Sequence, residues 1–219
     1  MTARAWLVVA LAAASAGVAQ GFGRFTLGVV LPAIRSDLGL SNTIAGSLAT
    51  ANVAAYLVGT LAVAMASSRI RLITIMKAGL LIAVGGQVLS AVAPNAPVLA
   101  VGMFCSGFGG AWVWIPTPVV ASSVFPPEKR GTAIGFLSSG MALSIVFTSQ
   151  LAGWVRRIWG DAGWRNVYVV QAAIGLLIAV ATIAIVRHAQ EQLSAKLSIG
   201  GFDAIKRVPG WKPVTAMYT

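Results

Sequence analysis

Charge is what this sequence has least of. Only 10% of its 219 residues are charged, where a soluble domain carries about 25%. With 58% hydrophobic residues and a mean hydropathy of +0.85, too little polar surface remains to face water on every side. Acids are scarcest: Asp37, Glu128, Asp161, Glu191 and Asp203 are the whole set. All five fall in expected connections, so no carboxylate is placed to relay protons inside a membrane. Histidine is limited to His188, at an expected helix end, which leaves a serine nucleophile without a base within reach. Cysteine is limited to Cys105, which excludes an intrachain disulfide or a zinc framework. No strand precedes a glycine-rich turn, so nucleotide-cofactor motifs have no setting, and neither an enzyme nor a cofactor is expected.

What the sequence does have is long apolar runs. Six reach the roughly 20 residues a membrane helix needs: 5–31, 43–66, 72–92, 97–124, 132–155 and 167–186. Helix is the economical reading, because an open strand edge cannot be satisfied in lipid. The first run opens like a signal peptide, with Arg4 ahead of an apolar stretch and small residues at Ala14–Ser15–Ala16. Its apolar character continues to Leu31, too far for such a segment, so a retained first helix is expected. The net charge of +11 would suit a nucleic acid, but the basic residues sit in short gaps between apolar runs, and no nucleic-acid partner is expected.

Those gaps set an orientation. With a cytoplasmic N-terminus, eleven basic residues lie on that side, Arg69, Arg71, Lys129 and Arg130 among them. Four lie opposite: Arg35, Arg156, Arg157 and Arg165. Residues 188–209 then read as a cytoplasmic linker, and 210–219 as the lead-in to a truncated seventh helix.

The chain also repeats itself. Gly21–Phe22–Gly23 precedes Pro32 by the same spacing as Gly107–Phe108–Gly109 precedes Pro118, and GLLIAV occurs at both 79–84 and 175–180. Basic turns, Ser68–Arg71 and Arg156–Ile158, follow the second and fifth runs. The matches pair the first run with the fourth, the second with the fifth and the third with the sixth. An all-α membrane bundle of two inverted three-helix repeats is the expected fold.

With these residues in view, the sequence resembles the N-terminal half of a major facilitator superfamily transporter. GFGRFTLGVVLPAIRSDLGLS and AGSLATANVAAYLVGTL look like the first two helices of the YbfB/YjiJ-like branch. PPEKRGTAIGFLSSG and GWRNVYVV resemble the fourth-to-fifth connection and the start of the sixth helix. The resemblance implies a secondary transporter in a bacterial inner membrane, with both termini cytoplasmic and a lipid bilayer and a small solute as partners. It also implies a second six-helix half, either missing from this chain or supplied by a second copy. The sequence departs from the family pattern at three places. The signature loop has Ala66 where an acid is usual, Met103 replaces the fourth-helix arginine, and 140–146 contains no proline.

Arg24 is the residue that asks for an explanation, since a charge in hydrocarbon costs from a few to more than ten kcal/mol, depending on how it is estimated. Residues four apart share a helix face, which groups Gln20 with Arg24, Asn52 with Tyr56 and Phe108 with Trp112. In the resembling fold the first, second, fourth and fifth helices line a central cavity, and these faces are expected to converge on it. Arg24 would attract an anionic solute, Gln20, Asn52 and Tyr56 would orient it, and Trp112 would pack on it. Pro32, Pro116 and Pro118 read as helix-end or kink devices, and Gly131 and Gly135 as close-packing positions. The competing reading is a non-transporting six-helix subunit of a larger membrane complex.

Overall fold

The computed structural model describes residues 3–186. The expected linker and seventh-helix segments, 188–209 and 210–219, lie outside the described residues. Within them the chain is helical, with no strand, and six helices are long and apolar enough to cross a membrane. They are α1 (Ala5–Leu38), α2 (Asn42–Ala66), α3 (Leu72–Ala91), α4 (Ala96–Ser123), α5 (Pro127–Trp159) and α6 (Asp161–Val186). The first is the axle. In its most apolar stretch 67% is buried inside the bundle, against 28% for α2 and 17% for α5.

Several boundaries differ from the sequence expectation. Helix α1 runs through Pro32 to Leu38 instead of ending at Leu31. Proline deprives the carbonyl four residues earlier of its partner. That residue is Gly28, and no atom of another element lies within 4 Å of a methyl built there. Gly39, at φ 61°, ends the helix in the left-handed conformation, and its amide returns to the Arg35 carbonyl. Likewise the Arg156–Ile158 segment, expected as a turn, is the last helical part of α5. Helix α4 does break where its prolines are, pausing at Ile115–Pro116 and restarting at Thr117.

Glycine sets how closely the helices approach. A methyl built on Gly86 would lie 2.6 Å from the Ser106 amide nitrogen, and one on Gly109 would lie 2.5 Å from that of Ala83, so α3 and α4 meet backbone to backbone. One on Gly140 of α5 would lie 2.5 Å from the Ala13 carbonyl oxygen of α1. Gly131 and Gly135 behave otherwise: no atom lies within 4 Å of a methyl built at either. Their spacing matched a packing motif, yet in this bundle they face outward on α5 and hold nothing together.

The sequence repeat has a counterpart in the packing. Helix α1 packs on α5 as α4 packs on α2, and α4 packs on α3 as α1 packs on α6. The matched glycines occupy equivalent contacts: Gly21 of α1 abuts Ser144 of α5, and Gly107 of α4 abuts Asn52 of α2.

One polar cluster fastens the end of the bundle opposite the N-terminus. The Asp37 carboxylate accepts from Trp164 Nε1 at 2.9 Å and from the Arg165 guanidinium at 2.6 Å. Arg165 also donates to the Ala93 carbonyl at 3.0 and 3.2 Å, and its guanidinium lies over the Trp164 ring. The sequence placed Asp37 and Arg165 in separate connections. Here they tie α1, the α3–α4 turn and α6 together. Asp37→Ala would leave the buried Trp164 N–H without its acceptor, at a cost of about 1–3 kcal/mol. The expected outcome is a melting midpoint lower by about 2–4 °C per kcal/mol lost. Asp161→Ala breaks only the outward-facing pair with Arg156 at 2.9 Å and should change the midpoint little. Equal midpoints for the two variants would refute the assignment.

Candidate functional site

The middle of α1 is not an α-helix. Gly17–Phe25, GVAQGFGRF, is wound as a π-helix, a rare geometry that concentrates at functional sites. Every other span reaches it. A methyl on Gly21 would lie 2.6 Å from Ser144 Cβ of α5, and one on Gly23 would lie 3.4 Å from the Ser106 carbonyl of α4. One on Gly175 of α6 would lie 3.4 Å from Val18.

Side chains take up the carbonyls of the widened coil. Gln87 of α3 donates to the Val18 carbonyl at 3.4 Å, and Asn52 of α2 donates to that of Gly23 at 3.1 Å. Thr26 donates to Gln171 Oε1 at 3.0 Å, and its hydroxyl lies 3.4 Å from the Gly21 carbonyl. Gln171 in turn donates to Thr148 at 3.0 Å, so α1, α6 and α5 share one buried polar chain. A buried polar group is costly without a partner, and most of these find one on a neighbouring helix, Gln87 Oε1 being an exception. Gln87, Gln171, Thr148 and Ser144 did not stand out in the sequence. The available signal was an uncharged polar residue alone in an apolar run.

Arg24 sits in the last turn of the π-helix, half-buried. Its guanidinium carbon lies 4.7 Å from the centroid of the Tyr56 ring. Gln20, one turn earlier, donates to the Tyr56 hydroxyl at 3.4 Å. Gln20, Arg24 and Tyr56 therefore converge, as their shared faces led one to expect. The two ion pairs among the described residues, Arg156–Asp161 and Arg165–Asp37, do not involve Arg24. Its charge rests against an aromatic face, a contact worth about 0.5–2 kcal/mol.

Asn52 and Trp112 stand differently. Asn52 is buried, and its Nδ2 donates to both the Gly23 and Met103 carbonyls, at 3.1 and 2.8 Å. Both amide protons are engaged in joining α2 to α1 and α4. Trp112 is not brought to the Arg24 cluster. The α4 face that meets Tyr56 and Ala19 is that of Gly110, and residues two apart on a helix point to opposite sides. Trp112 continues the stripe Phe104–Phe108–Trp112, with ring centroids 6.4 and 5.2 Å apart, and packs on Val63, Leu72 and Ile75. The expected pairing of Phe108 with Trp112 is present, on another surface.

Six helices long and apolar enough to cross a membrane, with a half-buried arginine on the central one, define an integral membrane protein. Residues 13–216 match the Major Facilitator Superfamily, and the chain belongs to that family. Its relatives there are transporters, not enzymes. The chain is 29% identical over 155 residues to the uncharacterized transporter YgaY of Escherichia coli O157:H7, covering 69% of this chain and 38% of that protein. It is 29% identical over 163 residues to a Bacillus subtilis protein named "Probable galactarate/D-glucarate transporter GudP", covering 72% and 35%. The chain thus spans less than half the length of these relatives.

Solved structures show the same fold at low identity. A bacterial homologue of the lysosomal transporter Spinster superposes with a TM-score of 0.70 at 21% identity, covering 83% of this chain and 43% of that one. The proton:xylose symporter XylE superposes with a TM-score of 0.71 at 16% identity, covering 89% and 49%.

Proposed function

We propose that this chain is a secondary transporter, or the N-terminal half of one, that moves a small organic anion by alternating access. The observation that carries the reading is Arg24. It is a half-buried guanidinium on the central helix, 4.7 Å from an aromatic face and outside both ion pairs of the described residues. A charge so placed is costly unless an anion meets it, and such residues line solute paths by default. Galactarate and D-glucarate, named for one relative, are anions of this kind.

In this reading Arg24 and Tyr56 face the solute, and Gln20 acts on Tyr56. Asn52 serves as the brace that fixes Gly23, and Trp112 contributes packing elsewhere in the bundle. The outward faces of α2 and α5, with Leu57 61% and Leu143 69% exposed, are where a second six-helix half or a second copy would dock. The described acids Asp37, Glu128 and Asp161 stand at span ends, so a proton carrier, if one is used, belongs to that second half. The protein would lie in a bacterial inner membrane with both termini cytoplasmic, and its sequence motifs suit the YbfB/YjiJ-like branch.

Uptake of labelled D-gluconate into vesicles holding the full protein tests this. Unlabelled carboxylates should compete, and neutral sugars and amides of similar size should not. Equal competition by neutral compounds would exclude an anion carrier, and an absence of uptake of labelled gluconate and of other labelled organic anions in turn would favour the structural-subunit alternative.

A further inference from the structure

We propose that the Tyr56 hydroxyl is the second donor of the solute site, sharing one carboxylate with Arg24, and that Gln20 is the residue that frees its proton for this. The inference rests on the reading that Arg24 faces the solute, and it specifies what the rest of the site recognises.

The argument runs through donors and acceptors. Gln20 Nε2 carries only hydrogens, so at 3.4 Å from the Tyr56 oxygen it donates and the phenol accepts. A phenol holds one hydrogen of its own, and this contact does not consume it. The neighbouring arginine has donors and no acceptor. Gln20 is 4% exposed, so it lies behind Tyr56 while the half-buried phenol and guanidinium remain reachable. The cluster therefore presents N–H and O–H groups side by side.

A group with acceptors alone fits that surface, and a carboxylate supplies two oxygens in one plane. An amide or alcohol offers a single acceptor oxygen and no negative charge, so neither matches the pair of donors and the guanidinium together. A planar guanidinium favours a carboxylate over a spherical anion as well. One guanidinium and no acid in the cluster give it a single positive charge, so one carboxylate is matched here.

The roles separate by titrating D-gluconate and its neutral amide, D-gluconamide, into the purified full protein. Tyr56→Phe keeps the ring under the guanidinium and removes only the hydroxyl. It should weaken gluconate about tenfold, since a hydrogen bond to a charged group is lost, with little change for gluconamide. Gln20→Leu should weaken gluconate in the wild-type background and add nothing in the Tyr56→Phe background, because the group it positions is already gone. A purely structural Gln20 would cost affinity in both.

Gluconate binding unchanged by Tyr56→Phe but weakened by Arg24→Ala would overturn this inference and leave the anion reading standing. Additive losses from Gln20→Leu would remove Gln20 from the scheme. Indifference of gluconate to both Arg24→Ala and Tyr56→Phe, or an amide that binds as well as the acid, would overturn the inference and the reading together.

Discussion

Arg24→Ala is expected to lower the affinity for a carboxylate solute at least about thirtyfold while leaving the melting midpoint unchanged or higher. The two halves of that expectation have separate causes. A charge-assisted hydrogen-bond pair in a partly dry site is worth about 2 kcal/mol or more, which converts to about thirtyfold in affinity. Stability moves the other way. The guanidinium gains at most about 2 kcal/mol from the Tyr56 face at 4.7 Å, while its placement in a membrane helix costs about 2.5–3.5 kcal/mol on insertion scales. Alanine removes both terms, and the balance favours the variant. Arg24→Lys should retain part of the affinity, because a compact ammonium keeps the charge and loses the planar fork. Equilibrium binding and thermal unfolding of the same preparations decide the matter. A variant that unfolds easily but still binds would make Arg24 a structural residue.

The second large effect belongs to Gly107. An alanine methyl there would collide with the Asn52 carbonyl group, lying 3.0 Å from its carbon and 3.2 Å from Asn52 Cα. These are backbone atoms of a helix and cannot rotate aside, so α2 and α4 must separate. Overpacking of this kind costs about 1–3 kcal/mol, sometimes more. Separation would also stretch the Asn52 bonds to Gly23 and Met103, adding about 1–2 kcal/mol. Gly107→Ala should therefore yield mostly aggregated protein on size exclusion. Gly131→Ala and Gly135→Ala meet no atom within 4 Å and replace glycine by a better helix former, so each should hold or gain about 0.5–1 kcal/mol. Indistinguishable behaviour of Gly107→Ala and Gly131→Ala would contradict the packing described.

These glycines also show where sequence reasoning reaches its limit. Gly107 was legible as half of an internal repeat, and the structure gives it and Gly21 equivalent contacts. Gly131 and Gly135 carried the more familiar packing spacing and pack on nothing here. Spacing shows which residues share a helix face; it does not show whether a neighbour stands opposite. Trp112 failed to join Arg24 for a related reason. Its own helix face was read correctly with Phe108, but the face of α4 that turns to α1 is that of Ser106 and Gly110. Arg24, Gln20 and Tyr56 could be grouped in advance because a charge and two polar groups in apolar runs have few places to go.

The sequence by itself determined the solvent this protein folds in, the six membrane-length helices of its described residues and the family to which it belongs. Shortage of charge and the length of apolar runs decide the first two, and the resemblance of its motifs pointed to the third, without reference to any contact. Only the tertiary structure decided that α1 widens into a π-helix at Gly17–Phe25, that Asn52 spends its donors on backbone, and that Asp37 reaches across to Trp164 and Arg165. Each depends on a partner at least 29 positions away or on carbonyls that neighbouring helices satisfy, and local pattern carries no record of either.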